Sequence, residues 1–292
     1  VTRVGSVVRR RPEQERRIDA HHHVWDLDVR RQPWQPERSV LRRTFTIEEL
    51  EPQLAASGVD GTVLVETVNV AAETPELLAL AAKHDRVRGV VGWVDLTARD
   101  VPDRIAELRE SPGGNRLVGL RHQVQDEPDP RWLARPEVLR GLAAVADAGL
   151  VFDLLVLPHQ LDAAVHAVRE TDGGRFVLAH LGKPHIATGL MQPWARNVRE
   201  LAAYGNVACK LSGMVTEASP EWTHKDLGPY AAHVLSVFGP DRVMAGSDWP
   251  VCLLRADYAT VWNATELLVA GLSAGERDRV LGGTATGWYG LT

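Results

Sequence analysis

Three histidines stand in a row at His21, His22 and His23, with a fourth at His180 and an aspartate at Asp248. Imidazole nitrogens and a carboxylate oxygen hold divalent metal ions, and the same groups move protons near neutral pH. The bland alternative is an incidental histidine-rich strand end. Strand alternation separates the members of the triplet, because residues i and i+2 share a face. His21 and His23 should therefore point into one cavity, and His22 away from it towards a helix layer. His180 and Asp248 would complete a metal set, His21, His23, His180 and Asp248. Asp248 has a second reading as a general base, and a metal beside it would keep it ionised and acidify a bound water.

Something must bring residues so far apart together. Short apolar runs alternate with helical patterns along the chain. RIDAHHH, VDGTVLVET, RVRGVVGWVDL, RLVGLRHQ, LVFDLLVL, RFVLAHLG, NVACKLSG and DRVMAGSDWP read as eight strands. Between them lie helices, one from Thr46 with Thr44 or Thr46 as its cap, others over about 74–84, 101–110, 136–149, 160–170, 193–204 and 227–238, and two segments that close the chain. Near-continuous apolar strands covered by helices indicate a parallel sheet. Eight such units over this length predict a single-domain (β/α)8 barrel. An open doubly wound sheet would want a glycine-rich phosphate loop after the first strand, where this chain has three histidines.

In such a barrel the chemistry sits at the C-terminal ends of the strands. There the sequence places His21 to His23, Glu66, Arg121 with His122, His159, His180 with Lys183 and His185, Lys210 with Ser212, and Ser247 with Asp248 and Trp249. Packing alone does not explain so many ionisable groups at one end, since burying each without a partner costs several kcal/mol.

The 292 residues are 45% hydrophobic with a net charge of −5, which suits a sizeable core and argues against nucleic acid as a partner. No apolar run approaches the length of a membrane span. Two cysteines, Cys209 and Cys252, make a disulfide framework improbable and fit a reducing cytoplasm. Residues 1–17 read as a basic, disordered leader, with residues 18–292 as the barrel.

The segments IDAHHHVWD, GLRHQVQD, FDLLV, HLGKP, KLSG and GSDWPVC, in that order, resemble the amidohydrolase superfamily. They look most like its sugar-lactonase branch, the L-fuconolactonase-like and L-rhamnonolactonase-like proteins related to 2-pyrone-4,6-dicarboxylate lactonase. The resemblance implies a barrel hydrolase that opens a small lactone, with Asp248 activating water and His21, His23 and His180 as further catalytic residues. It implies either one divalent ion, zinc foremost, or chemistry without a metal. Four positions depart from the branch: His22 and Glu66 where Gln is frequent, Ala179 where Asp is frequent, and His159 where Arg or another polar residue is frequent.

Arg121, His122, Lys183 and Glu66 are candidates for holding substrate, against the alternative of structural ion pairs. Trp25, Trp34 and Trp249 are candidates for an apolar wall, against core packing. No G-x-S-x-G elbow marks a serine nucleophile. Two rivals stay in view: a metal-dependent decarboxylase of the same superfamily, and a barrel that binds a small ligand without catalysis. A homo-oligomer stays open.

Overall fold

The structure, a computed structural model, describes residues 16–292; the expected leader falls almost wholly outside them. Eight parallel strands run in sequence order, each paired with the next. They are β1 (Ile18–His22), β2 (Gly61–Val65), β3 (Val87–Gly92), β4 (Leu117–His122), β5 (Val151–Leu154), β6 (Arg175–Leu178), β7 (Val207–Leu211) and β8 (Val243–Ala245). Helices α1 (Ile47–Ala56), α2 (Glu73–Ala81), α3 (Val101–Glu110), α4 (Pro136–Asp147), α5 (Leu161–Glu170) and α6 (Trp194–Ala202) alternate with the strands. The short α7 (Met214–Glu217) and the long α8 (His224–Phe238) lie between β7 and β8, and α9 (Tyr258–Leu268), α10 (Ala274–Asp278) and α11 (Thr284–Tyr289) follow. This is the (β/α)8 barrel that the alternation predicts.

The two faces of the sheet are both apolar. Leu64, Val90, Leu120, Phe152, Phe176 and Leu211 pack outward against the helices, while Val63, Val65, Val91, Val151, Val177, Ala208 and Met244 fill the interior. Tyr289 and Leu291, at the chain's C-terminal end, join the interior cluster and stopper the barrel from below. Each buried aliphatic side chain contributes about 1.5–3 kcal/mol.

Local signals set the element ends. Pro136 opens α4 at its first position, and Gly149, at φ 68°, ends it in the left-handed conformation that glycine adopts without strain. Thr223 and Asp226 form a capping box that starts α8 three residues before the expected Leu227. Thr46 does cap α1, but its side chain makes no capping hydrogen bond. The strands are shorter than their apolar runs: β6 stops at Leu178, so His180 stands on a turn after the strand. Three helices, not two, close the chain.

The barrel closes between β1 and β8. The amide of His23 donates to the carbonyl of Trp249 at 2.7 Å, and that of Asp248 to the carbonyl of His21 at 2.8 Å. The closing bonds thus run through the residues whose chemistry is in question.

Candidate active site

β1 carries an irregularity. Its register against β2 runs Asp19 to Thr62 and then His22 to Leu64, one residue more on β1 than on its partner. Such a bulge flips the facing of everything after it. Ile18 and Ala20 pack inside the barrel; strict alternation would turn His22 inward next. The extra residue instead lets His21 and His23 face inward. His22 faces out, and its Nε2 lies 2.9 Å from Thr62 Oγ1. Asp19, also facing out, pins the bulge: its carboxylate accepts from the His21 amide at 3.2 Å and from the Ser247 amide and hydroxyl at 2.8 and 2.6 Å.

Asp248 occupies the centre. Its Oδ1 lies 3.5 Å from His23 Nε2 and 3.8 Å from both His21 Nε2 and His180 Nε2. Burial alone would raise its pKa, but His180, His23 and Lys183 outweigh burial and hold it below the ordinary 3.8. The carboxylate is therefore ionised at neutral pH. Burial, with the Lys210 charge beside it, lowers His21 well below 6.5, and burial lowers His180 to about 3 against the pull of Asp248, so both rings are neutral. His23 Nδ1 sits 2.8 Å from the carbonyl of Val65, which turns its Nε2 towards Asp248.

His180 stands on a left-handed turn. His180, Leu181 and Lys183 have φ of 51°, 56° and 51°, with Gly182 at 70° between them. Left-handed backbone costs an L-residue about 1–2 kcal/mol, and packing must hold it: Leu181 is fully buried, and its carbonyl accepts from Trp194 Nε1 at 2.7 Å. The turn brings Lys183 into the mouth, where Nζ contacts Gln125 at 3.1 Å and Glu217 at 3.2 Å. His180 Nδ1 is 2.9 Å from Ser212 Oγ.

Below the histidines lies a buried polar layer. Lys210 Nζ contacts Asp153 Oδ2 at 2.6 Å and His21 Nδ1 at 3.2 Å, and Tyr289 donates to Asp153 Oδ1 at 2.6 Å. Arg121 donates through Nε to Glu66 Oε1 at 2.7 Å and through Nη2 to the Glu66 carbonyl. Burial pushes Glu66 up to about 7 against the opposing pull of Arg121.

A cavity of about 260 Å³ opens above this set. His23, Arg121, His180, Lys183, Trp34 and Asp248 line it. The other expected contacts lie elsewhere. Trp25 and Trp249 are core residues, packed edge-on against Phe45. His122 stacks on Trp132 and bonds Trp93 and Glu127 at 3.0 and 2.8 Å. Glu66 is spent on Arg121, and His159 and His185 are exposed. The sequence reading missed Thr67, Gln123, Gln125, Asp126, Leu155, Thr216 and Val251 on the cavity wall. Gln123, Gln125 and Asp126 could have been found, since the QVQD run directly follows a strand end.

One ligand atom each from His21, His23 and Asp248 lies within 4.8 Å of the others. Two imidazoles and a carboxylate at this spacing fit a divalent ion in donor type. His180 stands beside the set through Asp248.

Comparison with known proteins bears on the same residues. An amidohydrolase family model matches residues 18–291. The chain belongs to the amidohydrolase family. An L-fucono-1,5-lactonase of Burkholderia ambifaria is 38% identical over 94% of this chain and 95% of its own length. That of Burkholderia multivorans is 38% identical over 94% and 96%. A solved amidohydrolase from Burkholderia multivorans with bound zinc superposes with a TM-score of 0.89 at 37% identity, covering 95% of this chain and all of its own. Among the described residues no helix is long and apolar enough to cross a membrane, and both cysteines are free and buried.

Proposed function

We propose that this amidohydrolase hydrolyses the ester bond of a small sugar lactone, giving the aldonic acid. The observation that carries this is an ionised, buried carboxylate, Asp248, facing a polar cavity with three imidazoles within 3.8 Å of it. The lactonase names of the two Burkholderia relatives support the same substrate class. A six-carbon lactone fits a cavity of about 260 Å³.

In this mechanism Asp248 accepts a proton from a water, and the water oxygen bonds to the ester carbonyl carbon. The carbonyl oxygen gains charge in the tetrahedral intermediate. Donors on the cavity wall, among them His180 and Arg121, stabilise that charge. The intermediate collapses, the ring C–O bond breaks, and the proton held by Asp248 passes to the leaving alkoxide. The product acid ionises, so each turnover releases one proton to solvent. No covalent nucleophile is used: Ser212 bonds His180 and Ser247 bonds Asp19, and neither lines the cavity.

His21, His23 and Asp248, with His180 alongside, would hold a divalent ion, zinc foremost. Such an ion supplies Lewis acidity and a more acidic water. Lys183, Arg121, Gln123 and Gln125 line the region that would meet substrate hydroxyls, with Trp34 as a flat apolar wall. The free buried thiols accord with a reducing cytoplasm as the site of action.

A panel of aldono-1,4- and 1,5-lactones, followed by proton release with and without chelator, tests the reading. Turnover of one of them is the expected result. Failure on every lactone, with divalent metal added, overturns it and favours the decarboxylase or the ligand-binding barrel.

A further inference from the structure

Lys183 brings an ammonium to the cavity wall, and a second acid stands behind it. Nζ donates to Gln125 Oε1 at 3.1 Å and pairs with Glu217 Oε1 at 3.2 Å. Each side chain of the ion pair is only 22% exposed, so salt screens the two charges less than it screens a surface pair. Neighbouring loops build the arrangement. The left-handed turn after β6, with Lys183 at φ 51°, supplies the cation. Glu217 ends the short α7, directly after Thr216, which lines the cavity. Arg121, the other cation of the wall, meets the Glu66 carboxylate at 2.7 Å. Among the described residues each cation of the wall therefore has its own acid, while Asp126, exposed at the mouth, has no ion-pair partner.

This pairing sorts ligands by charge. An ammonium has three donors, so a paired Lys183 still has an N–H for a hydroxyl or a lactone oxygen, which needs the donor and not the net charge. A carboxylate gains less there. It has to share Lys183 with Glu217, two anions on one cation, and like charges set side by side oppose binding. Lactone hydrolysis also turns an uncharged molecule into an anion, so the same balance acts on what enters and on what leaves.

We propose that Glu217 is a specificity-determining residue: by neutralising Lys183 it fits the cavity to uncharged lactones, disfavours lactones that already carry a carboxylate, and loosens the hold on the acid product. The roles in substrate choice and product release rest on the lactonase reading; the response of anion binding to Glu217 does not.

Calorimetric titration of the full chain as purified, with gluconate and galactonate as probes, compares the wild type with Glu217→Gln. Measurements at pH 8 lie above the pKa of about 7 at Glu66. The amide keeps the size of the acid and can still accept from Lys183, so only the charge is lost. The variant is expected to bind the better of the two aldonates about tenfold more tightly. That gain should shrink as salt is added, and it should vanish when Lys183→Met is combined with Glu217→Gln. In kinetics, the ratio of kcat/KM for an aldaric acid monolactone to that for the matching aldonolactone should rise about tenfold in Glu217→Gln.

Equal aldonate affinity in the two proteins, including no measurable binding to either, overturns the proposal. So does a gain that survives Lys183→Met. If Glu217→Gln does not fold, Lys183→Met alone decides: it leaves Glu217 unpaired and should bind aldonate more weakly than the wild type, and equal or tighter binding removes Glu217 from the role. Failure on every lactone with the aldonate response intact sinks the lactonase reading alone. Turnover of lactones without that response sinks the role of Glu217 alone.

Discussion

Replacing Asp248 by Asn isolates the proton-accepting step. Asp248 sits at φ 60°, a conformation that Asn adopts more readily than other non-glycine residues. The amide also matches the carboxylate in size, so the turn after β8 and its seam bond to His21 are expected to persist. What is lost is the base. A positioned general base contributes about 10²–10⁴ in rate, and Asp248 combines full ionisation with a place among three imidazoles. We expect kcat to fall about a thousandfold, equivalent to about 4 kcal/mol, with KM changed little. The assay is indicator-detected proton release on the best lactone of the panel, corrected for spontaneous hydrolysis. Because His180, His23 and Lys183 together hold Asp248 below 3.8 against its burial, the wild type should keep its base ionised from neutral pH down towards pH 4. The variant's residual rate should instead climb with hydroxide concentration. Asp248→Asn that keeps more than a tenth of wild-type kcat, with a wild-type pH profile, would falsify the assignment of the base.

Glu66→Gln tests the buried acid beside Arg121. Its folded-state pKa of about 7 lies above the ordinary 4.5, so the native state binds the proton more tightly. That contribution is complete below pH 4.5 and is lost as pH rises through 7, a change of about 3 kcal/mol. Denaturant titrations at several pH values should show wild type losing that much relative to the variant; parallel curves count against it. Gly213→Ala would place a Cβ 2.5 Å from His180 Nδ1 at φ 62°, and should displace the ring from Ser212, lowering kcat tenfold or more and stability by about 1–3 kcal/mol. A variant with wild-type kinetics and Tm shows that the backbone yields more easily than this. His21→Gln should cost far more activity than His22→Gln, because only His21 faces Asp248; equal losses in kcat would contradict the facing assigned by the β1 bulge.

The barrel was legible because its strands are covered on both faces and so read as unbroken apolar runs. The H-x-H facing was legible from period two, although for an incomplete reason. Continuing the parity of Ile18 and Ala20 would have put His22 inward, and only the bulge, which leaves no trace in composition, rescues the pair. His180 was placed at a strand end, whereas a left-handed turn carries it; Gly182 supplies one residue of that turn, but its neighbours give no hint of positive φ. The tryptophans misled because an indole beside a strand end reads alike whether it faces ligand or core. Burial separates them, leaving Trp34 on the cavity and Trp25 and Trp249 behind it. Lys210 and Asp153 each read as a charge inside a strand, and their partnership depends on β5 and β7, the two neighbours of β6, turning both side chains into the barrel interior.

The two backbone bonds that close the barrel also have a bearing on how the protein dies. His23 and Asp248 each give their amide proton to the opposite rim, so fraying at β1 and β8 would part the acid from its imidazoles while the other strand pairings stay intact. Such an opening needs less free energy than global unfolding. Inactivation by mild denaturant should therefore run ahead of the loss of helical signal, and the amides of His23 and Asp248 should exchange with solvent in step with lost turnover. Operationally, the enzyme's shelf life would be set by one hinge-like joint in the wall rather than by the strength of the whole cylinder.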